Sequence, residues 1–145
     1  MWQYIYKNEV DAILPPQPFL SDARITFNGL ATKGTPILYY AVEIGAAASD
    51  AGMSSISDNS GVVVANNGMY FISHSIRGQQ GGTWGMTQIL INGSGIFAPT
   101  PSEFNAGSNS VNTMRYLVAN TTITTAIVGS LNDIYSGHLE VVRLF

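Results

Sequence analysis

The chain contains no cysteine. That absence excludes disulfide frameworks, thiolate zinc sites and cysteine nucleophiles together. Charge is scarce as well: 10% of the 145 residues are Asp, Glu, Lys or Arg, where soluble domains ordinarily carry roughly a quarter. Only six are Lys or Arg and the formal net charge is −3, so the basic patch that neutralises nucleic-acid phosphates is missing and no nucleic-acid partner is expected. No apolar run approaches the ~20 residues of a membrane-spanning helix. Residues 1–14 include Lys7, Glu9 and Asp11 and lack the apolar centre of a signal peptide. Nor does any stretch carry the 3.6-residue period of an amphipathic helix; residues 46–57, rich in Ala and Ser, read as a loop.

What the chain does have is apolar residues, 46% of the total, and a polar surface built from Ser, Thr, Asn, Gln and Gly. Its length suits one domain. Segments rich in Val, Ile, Thr, Tyr and Phe recur at 24–28, 36–44, 61–65, 69–76, 83–91, 111–118, 121–128 and 138–144, the composition that a pleated surface favours. Between them lie Asn28-Gly29, Asn67-Gly68, Gly81-Gly82, Asn92-Gly93 and Ser136-Gly137; Asn and Gly supply the positive φ of tight turns. Short strands at this density predict an all-β sandwich or barrel.

Alternation assigns the faces. Over 69–76, Tyr70, Ile72, His74 and Ile76 share one side and Met69, Phe71, Ser73 and Ser75 the other. Several strands carry apolar residues on both sides. A monomer that buried one side alone would alternate more cleanly, so the second side is expected to meet other subunits. Residues 1–20 stand apart: Trp2, Tyr4 and Tyr6 alternate, and Pro15-Pro16-Gln17-Pro18 closes the segment as a stiff extended linker. They read as an anchoring arm ahead of a β-domain at 21–145.

Four stretches resemble one family. Asn67-Gly68-Met69-Tyr70-Phe71-Ile72-Ser73 is similar to the Gly-x-Tyr strand of complement globular heads and their tumour-necrosis-factor-like relatives. Gln88-Ile89-Leu90-Ile91-Asn92-Gly93-Ser94 resembles the strand that follows it, Leu117-Val118-Ala119-Asn120-Thr121-Thr122-Ile123-Thr124 the next hairpin, and Leu139-Glu140-Val141-Val142-Arg143-Leu144 the closing strand. The likeness spans about 61–145 and is strongest to C-terminal domains of bacterial spore-surface collagen-like glycoproteins and of phage surface proteins. Where the family has Gly in the hairpin, this chain has Asn120, which tolerates the left-handed conformation. The resemblance implies a two-sheet antiparallel jelly-roll sandwich assembled as a homotrimer, and a binding or coating role.

The chemistry is sparse. His74 and His138 are the only histidines, and no Gly-x-Ser-x-Gly elbow exists; Ser73, His74 and Ser75 alternate across a strand and cannot converge. No enzyme activity is expected. Asp50, Asp58 and Glu103 lie in separate loops without a calcium-loop pattern, so neither a metal nor a cofactor is expected. Tyr70, Ile72 and His74 point inward by the family likeness. Two readings of them stand: packed core or interface residues, or a trimer axis at which three copies of His74 bind an ion or sense pH. For ligand recognition the loop residues Gln79, Gln80 and Trp84, then Glu103 and Asn105, are the candidates, since an indole beside amides suits a sugar ring. The expected role is a trimeric surface protein of a phage virion or similar particle, as capsid decoration or as a host-attachment head, joined to a capsid or fibre protein through its N-terminal arm and meeting a host glycan or receptor. The alternative is a carbohydrate-binding lectin or spore-surface adhesin. Either places the protein on a virion or extracellular particle surface.

Overall fold

The structure, a computed structural model, describes residues 22–32, 36–78, 85–97, 108–129 and 134–145. Within them the chain forms β1 (Arg24–Thr32), β2 (Leu38–Ile44), β3 (Met53–Ser55), β4 (Gly61–Val64), β5 (Gly68–Gly78), β6 (Gly85–Ile91), β7 (Ser94–Phe97), β8 (Ser108–Leu117), β9 (Thr121–Gly129) and β10 (Ile134–Arg143). A first sheet runs β2-β1-β10-β5-β8 and a second runs β3-β4-β9-β6-β7. Every pairing is antiparallel, and the chain crosses repeatedly between the sheets. The all-β sandwich expected from the short strands is what forms.

Turn chemistry explains several junctions. Asn92 and Gly93 both take positive φ, 49° and 81°, and join Ile91 to its partner Ser94, the geometry of a two-residue type I′ hairpin. Asn120, with φ 67°, adopts the left-handed conformation expected of it. Two strands escaped the sequence reading. β3 has three residues and lies within the Ala- and Ser-rich segment read as a loop. That segment packs on the core, with Ala48 and Ala51 buried. β7 lies in the long connection after Asn92-Gly93, and its Ser-Gly-Ile-Phe has no run of β-branched residues to mark it.

Between the sheets lies one apolar layer. The first sheet contributes Ile25, Phe27, Tyr39, Tyr70, Ile72, Val111, Leu139 and Val141; the second contributes Met53, Val62, Val64, Ile89 and Ile123. The sheets close on one another where β2 begins: Ile37 N–H donates to the Thr125 carbonyl of β9 at 2.8 Å, and Tyr39 N–H to the Asn59 carbonyl at 3.2 Å. At the opposite end Arg143 donates from Nη1 to the Ala51 carbonyl and from Nη2 to the Asn67 carbonyl, both at 3.0 Å. Tyr70 there donates its hydroxyl to the Asn66 carbonyl at 2.8 Å. A side chain at Gly68 would run into the Phe145 carbonyl and the Arg143 guanidinium. The Gly-x-Tyr pattern is therefore a packing device: the glycine admits the last strand and the tyrosine seals the sandwich end.

At Gly61 a side chain would collide with the Ile123 carbonyl, a rigid backbone atom of the paired strand β9. Gly61→Ala is expected to push β4 away from β9 and cost about 1–3 kcal/mol, the usual cost of overpacking. Urea denaturation followed by circular dichroism checks this, and an unchanged midpoint would contradict the packing described.

Candidate functional site

The pleat gives the first sheet an inner and an outer face, and the two hold different chemistry. On the inner face one rung runs Phe27–Leu139–His74–Val111. His74 is fully buried. Its Nδ1 lies 3.0 Å from the His138 carbonyl oxygen and 3.2 Å from the Tyr39 hydroxyl. A carbonyl only accepts, so Nδ1 carries the proton and donates to it. The Tyr39 hydroxyl shares a hydrogen bond across the core with Thr125 Oγ1 of the second sheet at 2.8 Å. Phe27 and Tyr39 stack at a tilt, with centroids 5.6 Å apart, and the His74 ring meets Tyr39 edge-on. His74 Nε2 is buried with no partner among the described residues. Burial pushes the imidazole down to about 4, only partly offset by its bond to the His138 carbonyl, and raises the Tyr39 phenol above its ordinary range.

This placement corrects one reading. Tyr70, Ile72 and His74 are each 0% exposed within a single chain, because the second sheet of the same subunit covers them. Lining an axis between subunits requires side chains that one subunit leaves open. Of the two readings of His74, the packed core histidine is the one the structure describes.

The outer face is open. Its rungs run Met69–Tyr116, then Arg24–Val142–Phe71–Met114, then Thr26–Glu140–Ser73–Asn112, then Asn28–His138–Ser75–Ser110. The first two form a contiguous apolar patch in which Met114 and Tyr116 are each 61% exposed, large values for side chains of that size. The last two are polar, with Glu140 approached by Arg24 at 3.9 Å. The other arm of Arg24 reaches Glu43 at 4.0 Å. The sequence reading found the apolar pair Met69 and Phe71 but not their partners Met114, Tyr116 and Val142. Alternation within 111–118 carried the signal for Met114 and Tyr116, but only strand pairing shows that they extend the same patch.

The remaining candidates, Trp2, Tyr4, Tyr6, Gln79, Gln80, Trp84, Glu103 and Asn105, lie outside the described residues. Among the described residues, no group of three or more His, Asp or Glu is placed to hold a metal ion, and no helix is long and apolar enough to cross a membrane.

With the architecture established, solved structures provide the comparison. A tumour-necrosis-factor protein, Eiger from S. frugiperda, superposes with a TM-score of 0.62 over 84% of this chain and 92% of that one, at 12% identity. The chain has a tumour-necrosis-factor-like jelly-roll fold. Pika GITRL matches with a TM-score of 0.54 over 84% of this chain and 96% of its own, at 13% identity. Rabbit GITRL gives 0.52 over 83% and 94%, at 14% identity. No protein-family model matches the sequence, and no curated protein does either. At such identities it is the TNF-like fold that is shared; the bacterial spore and phage likeness has no counterpart among these neighbours.

The TNF-like core gives an acid-linked prediction. The unfolded chain takes a proton on His74 near the ordinary 6.5 and the folded chain only near 4. Between those values the unfolded state binds more protons, so stability rises with pH there. His74 thus withholds nothing above about 6.5, and its penalty grows as pH falls toward about 4, reaching about 3 kcal/mol at 1.36 kcal/mol per pH unit. His74→Phe should flatten the acid limb of stability against pH, measured by urea unfolding at successive pH values. An equally steep limb in the variant would show that other groups carry the effect.

Proposed function

We propose that this chain is a non-enzymatic homotrimer acting as a surface head of a virion or similar particle, where it coats the particle or attaches it to a host. One observation carries the assembly: a sandwich already closed around its own core still leaves Met114 and Tyr116 exposed, beside the half-buried Met69, Phe71 and Val142, on the outer face of its first sheet. Soluble monomers rarely leave such patches without a partner. Further copies of the same chain are the occupants the observations favour. The patch lies on a five-stranded sheet, the sequence carries little charge to oppose self-association, and the resemblance drawn from the sequence implies a three-fold assembly. Residues 1–20, with Trp2, Tyr4 and Tyr6 ahead of a proline-rich stretch, provide an arm through which the trimer joins its particle. This is the basis for proposing a particle surface as its location.

A charge placed in the patch tests the assembly without touching the core. Fully burying a side chain such as Met or Tyr is worth about 1.5–3 kcal/mol, and a buried unpaired carboxylate costs more. Met114→Glu should therefore lower the native mass from three subunits to one while leaving the β-sheet circular dichroism unchanged. A variant that keeps the mass of the parent would show that the patch is not the interface. Removal of residues 1–18 should leave the trimer intact and abolish its attachment to the particle in a sedimentation assay; continued attachment would place the anchor on the β-domain.

A further inference from the structure

At the polar end of the same outer face lies a pocket of about 230 Å³, lined by Asn28, Ser75, Arg77, Ser136 and His138 together with Gly29, Ile76 and Gly137. The ladder between β1 and β2 shifts register between Asn28 and Ala31, and that between β10 and β5 shifts between Ile134 and Ser136. Both irregularities lie at the level of the pocket. Bulges of this kind occur preferentially beside binding sites, where they redirect side chains. Along β5, Ser75 lies six residues beyond Met69, about 20 Å at the rise of a strand, so the pocket stands clear of the centre of the apolar patch.

The lining is rich in donors. Arg77 is exposed, and among the described residues the ion pairs are those of Arg24 with Glu43 and Glu140; none involves Arg77. The His138 Nδ1–H donates to Asn28 Oδ1 at 2.6 Å. That bond fixes the ring and turns the Asn28 amide so that its N–H groups are available to a ligand. The Ser75 and Ser136 hydroxyls add two more donors. Among the described residues no carboxylate lines the cavity, and Glu140, one rung away, is already approached by Arg24. The volume falls below the ~300–1,000 Å³ of sites for drug-sized molecules, which selects a small group.

We infer that this pocket binds a small oxyanion, a carboxylate, sulfate or phosphate, held by the Arg77 guanidinium and the His138–Asn28 pair. The inference stands on a single subunit and does not depend on the trimer. Its test is titration of the full-length protein with sodium glucuronate, sulfate and phosphate at constant ionic strength, followed by amide chemical shifts. The expected result is saturable binding with shifts confined to residues 28–29, 75–77 and 136–138. A charge-assisted hydrogen bond contributes about 1.5–3 kcal/mol, so Arg77→Gln should weaken binding about tenfold or more. His138→Gln should weaken it too, while Arg24→Gln, on the same face but outside the pocket, should leave it unchanged. Which anion binds tightest separates an acidic saccharide from a phosphate source. Shifts scattered over the surface, insensitivity to Arg77→Gln, or no saturation with any of the three anions would overturn the inference. The native mass, recorded on the same samples, reads the trimer separately.

Discussion

A β-strand sends successive side chains to opposite faces, and a strand in a two-sheet sandwich needs only one of those faces to be apolar. β5 is apolar on both over its first half. Tyr70 and Ile72 fill the core of their own subunit, while Met69 and Phe71 point away from it. The inner set makes the sandwich, and the outer set, continued by Met114, Tyr116 and Val142 on the neighbouring strands, gives the sandwich something further to bury. Further along the same strand the outer positions change to Ser73 and Ser75. One strand thus contributes to the core, to an apolar patch and to a polar pocket, with the period of two keeping the inner and outer sets apart.

Polar residues inside the core bear on specificity of folding more than on chemistry. Tyr39, His74 and Thr125 link the first sheet to the second through a directional chain of hydrogen bonds, where an all-apolar layer would let the sheets slide. The link leaves His74 Nε2 without a partner among the described residues and ties stability to pH. The other histidine has a different environment: His138 sits on the outer face with its ring fixed by Asn28, in contact with a cavity. Sequence alone shows two histidines in strands. Burial and partners separate the structural one from the one available to a ligand.

Much of the fold was legible because its signals are local. Asn92-Gly93 and Asn120 mark turns that the structure makes with positive φ, and eight of the ten strands lie where β-branched and aromatic residues cluster. β3 (Met-Ser-Ser) and β7 (Ser-Gly-Ile-Phe) were not legible, since they lack the β-branched run that marks the equally short β4, Gly-Val-Val-Val. The candidate surfaces were less legible still. Alternation placed Tyr70, Ile72 and His74 on one face and the family likeness turned that face inward, but whether inward meant toward the other sheet or toward another subunit was not legible. That distinction lies in the crossing of the chain between the sheets. The pocket beside Arg77 lies next to two register shifts in ladders between distant segments, and no single stretch of sequence contains them.

The account rests on the outer face of the first sheet being covered by copies of the same chain. The native mass of the unmodified protein, followed by light scattering on dilution, tests this most directly. The account predicts three times the 15.5 kDa of one chain, about 46 kDa, held as the protein is diluted. A stable species of 15.5 kDa, with Met114 and Tyr116 open to water, would contradict it.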